Sequence, residues 1–514
     1  MTAATTHREV ERKLRVADDF TLPDLAASGI IAHLRMQPAH VMTAVYHDTP
    51  SLALFRWGTT LRRREGGADE GWHLKLPVPG ADTGARDELR LPLSAGGVGV
   101  VPATLADIVS PLTRGERLEP QVSVRTLRTP ATLVDADGTP RLELCDDRVT
   151  AHDADGHPVG AFREIEVELL DADDPRAHAL LEHVVAALVA EGARPGSLSK
   201  AAQAMGPRAS GPADVPEIPL PSDGAFAADV VRSAMATHAR QFLLSDVAVR
   251  RDLPDAVHHM RVAARRLRSV LRTFGPLLEP EWASMLRTEL GWIASELGAI
   301  RDTEVLMDRL DEDADLLGEP DAAVARAAID ARLQARIAAG RSGALAALRS
   351  DRHEWLVEDL VAAVHAPRLL DDAYRPAEDV LPELLHRAWR SLARAVRDLR
   401  IDGPADTWHA ARIKAKRARY SVDAVTELMG PRTQRLADAL ADVTEILGEH
   451  QDACVAQEFV RALAAGASGT EAFALGRLHD VESEREMLAR LAFLELWPEV
   501  RRAAKRSGVV RRGR

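Results

Sequence analysis

His7-Arg8-Glu9-Val10-Glu11-Arg12-Lys13-Leu14-Arg15-Val16 decides how the first part of this chain folds. Side chains alternate between the two faces of a strand. Glu9, Glu11, Lys13 and Arg15 therefore share one face, and Val10, Leu14 and Val16, with Arg12 among them, share the other. So charged a face cannot pack into an apolar core; it meets water or lines a polar cavity. Carboxylates about 6–7 Å apart along a strand can share a hard cation through oxygen ligands. A lysine just beyond them can hold an anion. The plainer reading of this stretch alone is an exposed edge strand of mixed charge, so the segments that follow have to decide.

They repeat the pattern. A short helix is expected over Leu22 to Leu34. Strands are expected at Thr43–Thr49, Thr60–Glu65, Trp72–Leu76, Arg86–Leu91, Gln121–Leu127, Arg141–Asp147 and Glu164–Leu169. Each sets apolar residues against ionic ones. Arg62 pairs with Arg64, His73 with Lys75, and Arg86 and Arg90 with Glu88; Arg125 lies opposite Val122 and Val124. Glu143 and Asp147 lie opposite Leu142 and Leu144, and Glu164, Glu166 and Glu168 repeat the opening theme. Asp137-Gly138 and Asp155-Gly156 are hairpin signals. A sheet with one face in water alternates too, but its polar positions usually draw on Thr, Ser, Gln and Lys. Here they are mostly Arg, Lys, Glu and Asp. A closed antiparallel barrel with a charged lumen explains this. Acids on the first and late strands would face cations, and bases on the middle strands a polyanion, which is the pattern for a metal-bound chain of phosphates.

Together Glu9-Val10-Glu11-Arg12-Lys13, the Arg-rich strand Leu61 to Arg64, Lys75, Arg125, Glu164 to Glu168 and Ser197-Leu198-Ser199-Lys200 resemble the CYTH domain of the triphosphate tunnel metalloenzymes, over roughly residues 1–206. The resemblance implies an eight-stranded antiparallel tunnel. It implies Mg²⁺ or Mn²⁺ held by Glu9, Glu11, Glu166 and Glu168, with Asp147 and Glu164 assisting, and phosphate oxygens bound by Lys13, Arg62, Arg64, Lys75, Arg125 and Lys200. Glu9, Glu11 and Lys13 are the expected catalytic residues. The acid on the sixth strand is Asp146 or Asp147, and parity favours Asp147. Members hydrolyse inorganic triphosphate, thiamine triphosphate or RNA 5′-triphosphates, and a few cyclise ATP. Cyclisation needs a base and ribose pocket, for which the sequence gives no signal.

After these strands, Pro175 to Glu191 carries Ala179, Leu180, Val184 and Leu188 at helical spacing and reads as a packing helix. Prolines 207, 212, 216, 219 and 221 then mark an extended linker over 207–223. Beyond it the pattern is helical over 224–505, and 506–514 read as a loose basic tail.

The helical part is internally repeated, about 224–375 and 376–505. His258, Arg261, Arg265, Arg266 and Arg268 recur as His409, Arg412, Lys416, Arg417 and Arg419. About thirty residues on, Leu297-Gly298-Ala299-Ile300-Arg301-Asp302 recurs as Leu447-Gly448-Glu449-His450-Gln451-Asp452. On a helix, His258, Arg261, Arg265 and Arg268 form one stripe, and His409, Arg412, Lys416 and Arg419 its counterpart. Solvated faces alternate in sign; these stripes hold no acid, so each predicts an anion site. The arrangement resembles the CHAD domain, which implies a helical duplication that binds inorganic polyphosphate through those ten residues. Gln451 stands where the first copy has Arg301, and Asp302 and Asp452 are expected to pair with arginines rather than metal.

Composition sets the remaining bounds. In 514 residues, apolar content of 46% and charged content of 28% describe a globular chain of two or three domains. The net charge of −12 argues against indiscriminate nucleic-acid binding, and the stripes lack interleaved aromatics for base stacking. No apolar run is long enough for a membrane span. The chain start carries no basic-then-apolar leader. Cys145 and Cys454 show no metal or redox spacing. The expectation is a cytoplasmic, metal-dependent inorganic triphosphatase, a phosphoric anhydride hydrolase, whose helical domain binds polyphosphate and associates with polyphosphate granules. The competing expectation is a granule-bound scaffold whose tunnel binds without turnover. Neither a membrane nor a nucleic acid is an expected partner, and oligomeric state is not legible.

Overall fold

The computed structural model describes residues 5–509 apart from 28, 79–84, 197, 220, 222–223 and 468. It divides into two compact units, Met1–Asp214 and Val215–Arg514.

The first unit carries strands β1 (Thr5–Val16), β2 (His33–Met36), β3 (His40–Asp48), β4 (Thr60–Glu65), β5 (Gly71–Pro77), β6 (Ala85–Leu91), β7 (Glu119–Val134), β8 (Pro140–Asp153), β9 (Pro158–Leu169) and β10 (Arg194–Gly196). Eight of them close an antiparallel barrel in the order β1-β6-β5-β4-β3-β7-β8-β9. Closure falls on β1, whose first half pairs with β6 and whose second half pairs with β9, Lys13 opposite Glu166. β10 adds to the edge of β1 and β2 to β7. The helix expected over Leu22 to Leu34 does not form: Pro23 and Gly29 sit among turns, and the segment ends in β2.

Four helices complete this unit: α1 (Ala53–Arg56), α2 (Ala103–Thr113), α3 (Pro175–Ala190) and α4 (Lys200–Met205). α3 covers the outer face, burying Ala177, Leu181, Val184 and Leu188 against Val10, Leu14, Leu144 and Val167. α4 enters the barrel instead. Its Ala201 and Ala202 pack on the inward residues Ala44, Tyr46, Val122, Val124, Val149 and Ala151. One end of the lumen is therefore apolar and filled, and the other is ionic.

The stretch expected as a linker is in part packed. Ala209 and Ala213 are buried, and the Asp214 carboxylate accepts from Trp57 Nε1 at 2.7 Å and pairs with Arg114 at 2.9 Å.

The second unit is helical: α5 (Ala227–Arg250), α6 (Ala256–Thr273), α7 (Pro280–Glu296), α8 (Gly298–Asp315), α9 (Asp321–Leu348), α10 (Asp351–His365), α11 (Ala377–Arg397), α12 (Ala405–Asp423), α13 (Thr426–Met429), α14 (Pro431–Ala464) and α15 (Gly469–Arg506). The duplication is visible in the packing. α6 lies between α5 and α7, as α12 lies between α11 and α14. The first copy breaks between α7 and α8 at Leu297, where α14 runs straight through Leu447. The start of the basic tail is not loose. Val509 is buried, and its carbonyl accepts from His386 Nδ1 at 2.9 Å; residues 510–514 lie outside those described.

Candidate functional site

Strand register builds the lumen. Residues directly opposite one another share a face, and the pairs Glu11–Glu168, Lys13–Glu166, Glu164–Asp147, Asp147–Arg128, Arg62–His73 and Lys75–Glu88 all point inward. Glu9, Lys13, Arg62, Arg64, Lys75, Glu166, Glu168 and Lys200 line one cavity of about 240 Å³, joined by Tyr46, Glu88, Arg90, Arg128 and Glu143. A second cavity of about 520 Å³ holds Glu11 and shares Lys13, Thr60, Lys75 and Ser199 with the first.

The lumen charges neutralise one another in groups. Lys200, the first residue of α4, sits with its ammonium 2.9 Å from Asp147, 2.7 Å from Glu164 and 2.7 Å from Glu166. The Ser199 hydroxyl caps α4 by accepting from the Ala202 N–H, which fixes where Lys200 starts. Arg128 donates to both Asp147 oxygens at 2.8 and 2.6 Å and to Glu166 at 2.5 Å. Lys13 lies 2.9 Å from Glu11 and 3.3 Å from Glu166, and Lys75 lies 2.5 Å from Glu9. Glu88 takes His73 Nδ1 at 2.8 Å and is flanked by Arg62, Lys75 and Arg90.

Burial and neighbours set the protonation states. Burial opposes the charge on Lys200 and Lys13, but their carboxylates outweigh it and hold both well above the usual lysine range. Burial would raise Glu166 and Glu9; Lys200, Lys13 and Arg128 bring the first down, and Lys75 the second. Burial brings Arg64 down to about 9, helped by Arg62 and Arg128. Glu168 goes the other way: burial, then the like charges of Glu9, Glu11 and Glu166, push it up to about 8.

Arg125 requires a correction. It is exposed on the outer face of β7, opposite Thr43 and Thr150. Arg128, three residues on and so of opposite parity, is the β7 cation in the lumen. The strand-eight acid resolves with the same rule. Asp147 is fully buried inside, whereas Asp146 points outward to Arg163 at 2.7 Å.

Asp147, Glu164 and Glu166 bring carboxylate oxygens within 4.8 Å of one another. These donors are all oxygen, the chemistry of a hard divalent cation. The oxygen donors fit a divalent ion among Asp147, Glu164 and Glu166, of which only Glu166 belongs to the four expected principal ligands, and Glu9 Oε2 is a further lumen oxygen with no partner among the described residues. Lys200 and Arg128 would have to shift away from the acids they now neutralise.

In the helical unit the two stripes lie on neighbouring helices, α6 and α12. Arg261 packs over Gly298 and pairs with Asp302 at 2.8 Å; Arg412 packs over Gly448 with Asp452 at 3.7 Å. Arg265 lies 5.6 Å from the Tyr420 ring centre. Arg268 and Arg272 face Arg417 and Arg287, and burial followed by these like charges lowers both, Arg272 to about 10. Among the described residues, the buried Nε–H groups of Arg265, Arg268, Arg287, Arg301, Arg412 and Arg417 meet no acceptor. Arg272 continues the α6 stripe and Arg301 is the base that the second repeat replaces with Gln451, whereas Arg287 on α7 is a cation that the stripe pattern does not reach. Arg266 and Arg419 form a separate corner around Asp423, Arg419 pairing with it at 3.6 Å and donating to Thr444 at 2.7 Å. His258 is half-buried beside Arg301, and the exposed His409 bonds Gln451. His450, Cys454 and Glu486 also cluster, but Arg490 already donates to His450 Nε2 at 3.1 Å and pairs with Glu486.

Residues 7–184 match the CYTH domain and residues 233–461 the CHAD domain. Uncharacterized proteins of Mycobacterium tuberculosis, strains CDC 1551 / Oshkosh and ATCC 25618 / H37Rv, are each 35% identical over 507 residues, covering 93% of this chain and of theirs. The chain belongs to the CYTH–CHAD family. PptA from Streptomyces chartreusis is 25% identical, with a TM-score of 0.47, over 53% of this CYTH–CHAD chain and 100% of its own.

Proposed function

We propose that the barrel hydrolyses inorganic triphosphate or polyphosphate with Mg²⁺ or Mn²⁺, and that the helical unit binds inorganic polyphosphate. One observation carries the reading. Lys13, Arg62, Arg64, Lys75, Arg128 and Lys200 converge on the same lumen as eight inward acids. A triphosphate carries about four negative charges near neutral pH, and burying it requires cations on every side. These side chains provide them, and Arg62 and Arg64 add forks suited to phosphate oxygens.

In this reading, substrate takes over the lysines and arginines, and the acids they leave hold the metal. The bound metal supplies Lewis-acid neutralisation of phosphate oxygens. The chain's own residues do the rest. Arg62, Arg64 and Lys75 fix the chain of phosphates from β4 and β5, Lys13 and Lys200 clamp it from β1 and α4, and a lumen carboxylate orients or deprotonates the attacking water. In the helical unit, the unmet Nε–H groups on α6 and α12 are donors awaiting an anion.

The second reading is a granule-associated scaffold that binds without turnover. The complete pairing of Lys200 with the acid cluster favours it. Phosphate release from triphosphate, long-chain polyphosphate and ATP, with Mg²⁺ or Mn²⁺, separates the two. Metal-dependent release abolished in Glu11→Gln supports the hydrolase. Tight polyphosphate binding with no release from any substrate supports the scaffold.

A further inference from the structure

The lumen lysines and Arg128 are already engaged with carboxylates. Each has to leave or share an acid before it can take a phosphate oxygen. Tyr46 is under no such condition. On β3 it lies opposite Arg62 of β4 on one side and Val122 of β7 on the other, at the border between the ionic and the apolar parts of the lumen. Its ring belongs to the apolar part, in one cluster with Ala44, Val124, Ala201 and Ala202, and its centre is 6.4 Å from that of the Phe55 ring. The residue is only 3% exposed, yet it lines the ionic cavity of about 240 Å³.

Arg62 Nη1 donates to the Tyr46 hydroxyl oxygen at 3.4 Å. That bond uses an oxygen lone pair and leaves the hydroxyl proton without an acceptor among the described residues. The Nε–H groups of Arg62 and Arg64, on the paired strand, are buried and also meet no acceptor among those residues. Buried donors are rarely left unpaired, because each forfeits the hydrogen bond it made to water. Three leftover donors on two paired strands call for a ligand that presents several acceptor oxygens, as a phosphoryl group does. The charge around the hydroxyl agrees. Burial would raise the phenol, but Arg62, then Lys200 and Lys13, hold it below its ordinary value. The cations acting on this hydroxyl are thus three of those that line the cavity.

We infer that Tyr46 is a substrate-binding residue of the barrel, its hydroxyl donating to a non-bridging oxygen of a phosphoryl group that Arg62 also holds. The inference rests on the reading of this lumen as a triphosphate site. The donor is neutral and its proton is unengaged, so the contact forms without displacing a carboxylate. Tyr46 is therefore in place before the lysines change partners, and the plug that packs on its ring holds it there.

The test is steady-state triphosphate hydrolysis by the full chain with Mg²⁺, wild type against Tyr46→Phe, which keeps the ring and removes the hydroxyl. kcat/KM should fall about tenfold to a hundredfold, the scale of one hydrogen bond to a charged group. Triphosphates with sulfur in place of a non-bridging oxygen, on the terminal or on the central phosphorus, show whether the hydroxyl touches substrate. Sulfur is a weak acceptor, so one of the two should narrow the gap between wild type and variant several-fold. A gap equally wide with all three substrates would mean that the hydroxyl acts only through the fold. That result, or an unchanged kcat/KM, overturns the inference. If Tyr46→Phe does not fold, tyrosine absorbance of the Tyr420→Phe chain is read instead. That chain keeps Tyr46 and the exposed Tyr374. Triphosphate with Mg²⁺ should perturb the phenol band, and an unperturbed band overturns the inference. If the wild type hydrolyses no triphosphate, the hydrolase reading fails by itself. Calorimetric titration of triphosphate with Mn²⁺ then decides, in a chain whose helical face carries Arg265→Ala plus Lys416→Ala. Weaker binding on adding Tyr46→Phe supports the contact, and equal binding overturns it.

Discussion

The ammonium of Lys200 lies 2.7 Å from Glu166, at the centre of the acids that the barrel brings together. It is held there by the cap of a short helix plugged into the lumen, so its position is a property of the fold and not of a mobile side chain alone. It does what a divalent cation would do among the same acids: it cancels the repulsion among Asp147, Glu164 and Glu166.

Replacing that cation should therefore be costly without metal and less so with it. Lys200→Met leaves buried acids short of a counter-charge, a loss of about 3–5 kcal/mol where a buried pair is broken. Urea denaturation of the full chain should show this loss in chelator and partial recovery in Mg²⁺ or Mn²⁺. Equal loss in both conditions would mean the acids do not bind metal.

The two β7 arginines make opposite predictions. Arg128→Ala removes the partner of Asp147 and Glu166 and should lower triphosphate turnover at least about a hundredfold, the scale of losing one aligned transition-state donor. Arg125→Ala, on the outer face, should leave kcat/KM unchanged. A matched assay of both variants reads the strand's register directly; a large effect from Arg125→Ala would contradict it.

That pair also shows what was legible in the sequence and what was not. Period-two alternation set Glu9, Glu11, Lys13, Arg62, Arg64, Lys75, Glu164, Glu166 and Glu168 on the faces that line the lumen, because ionic residues recur there at alternate positions. On β7 the rule misled. Val122 and Val124 face inward, because the alanines of α4 fill that end of the lumen with apolar contacts. Alternation sets Arg125 opposite Val122 and Val124, and the resemblance that makes it a phosphate ligand requires the face that the structure turns outward. Nothing local to β7 announces a plug contributed some eighty residues later. Glu88 and Arg90 were seen to share a face, but their role depends on β6 pairing with β5, which sequence alone does not fix. In the helical unit, the repeat found the stripes, and it could not show that Arg417 rather than Arg419 faces α6.

Glu168 should make stability depend on pH. Its folded value is raised, mainly by burial and then by neighbouring acids, to about 8 from a usual value of 4.5. Between those values the folded chain binds the proton more tightly than the unfolded chain, so stability falls as pH rises from about 5 to 8. The slope from this one group is at most about 1.4 kcal/mol per pH unit. Glu168→Gln should flatten the dependence in chelator, and saturating Mn²⁺ should do the same in the wild type by replacing the proton. A wild-type profile identical to that of Glu168→Gln would remove Glu168 as its cause.

The helical face should respond to paired substitution more than to either change alone. Arg265 and Lys416 occupy equivalent repeat positions on the neighbouring helices α6 and α12, and the charge of Arg265 raises the cost of the charge on Lys416. Removing one relieves some of that repulsion, so a single alanine costs polyphosphate binding less than its lost contact implies. Removing both leaves no such compensation, and the double variant Arg265→Ala plus Lys416→Ala should weaken binding by at least about a hundredfold at low salt, more than the product of the single effects. Added salt should narrow the gap between wild type and variant, since screening weakens the attraction these charges supply. Fluorescence titration with long-chain polyphosphate at two ionic strengths checks both statements, and additive, salt-independent losses would mean that the two side chains do not share an anion.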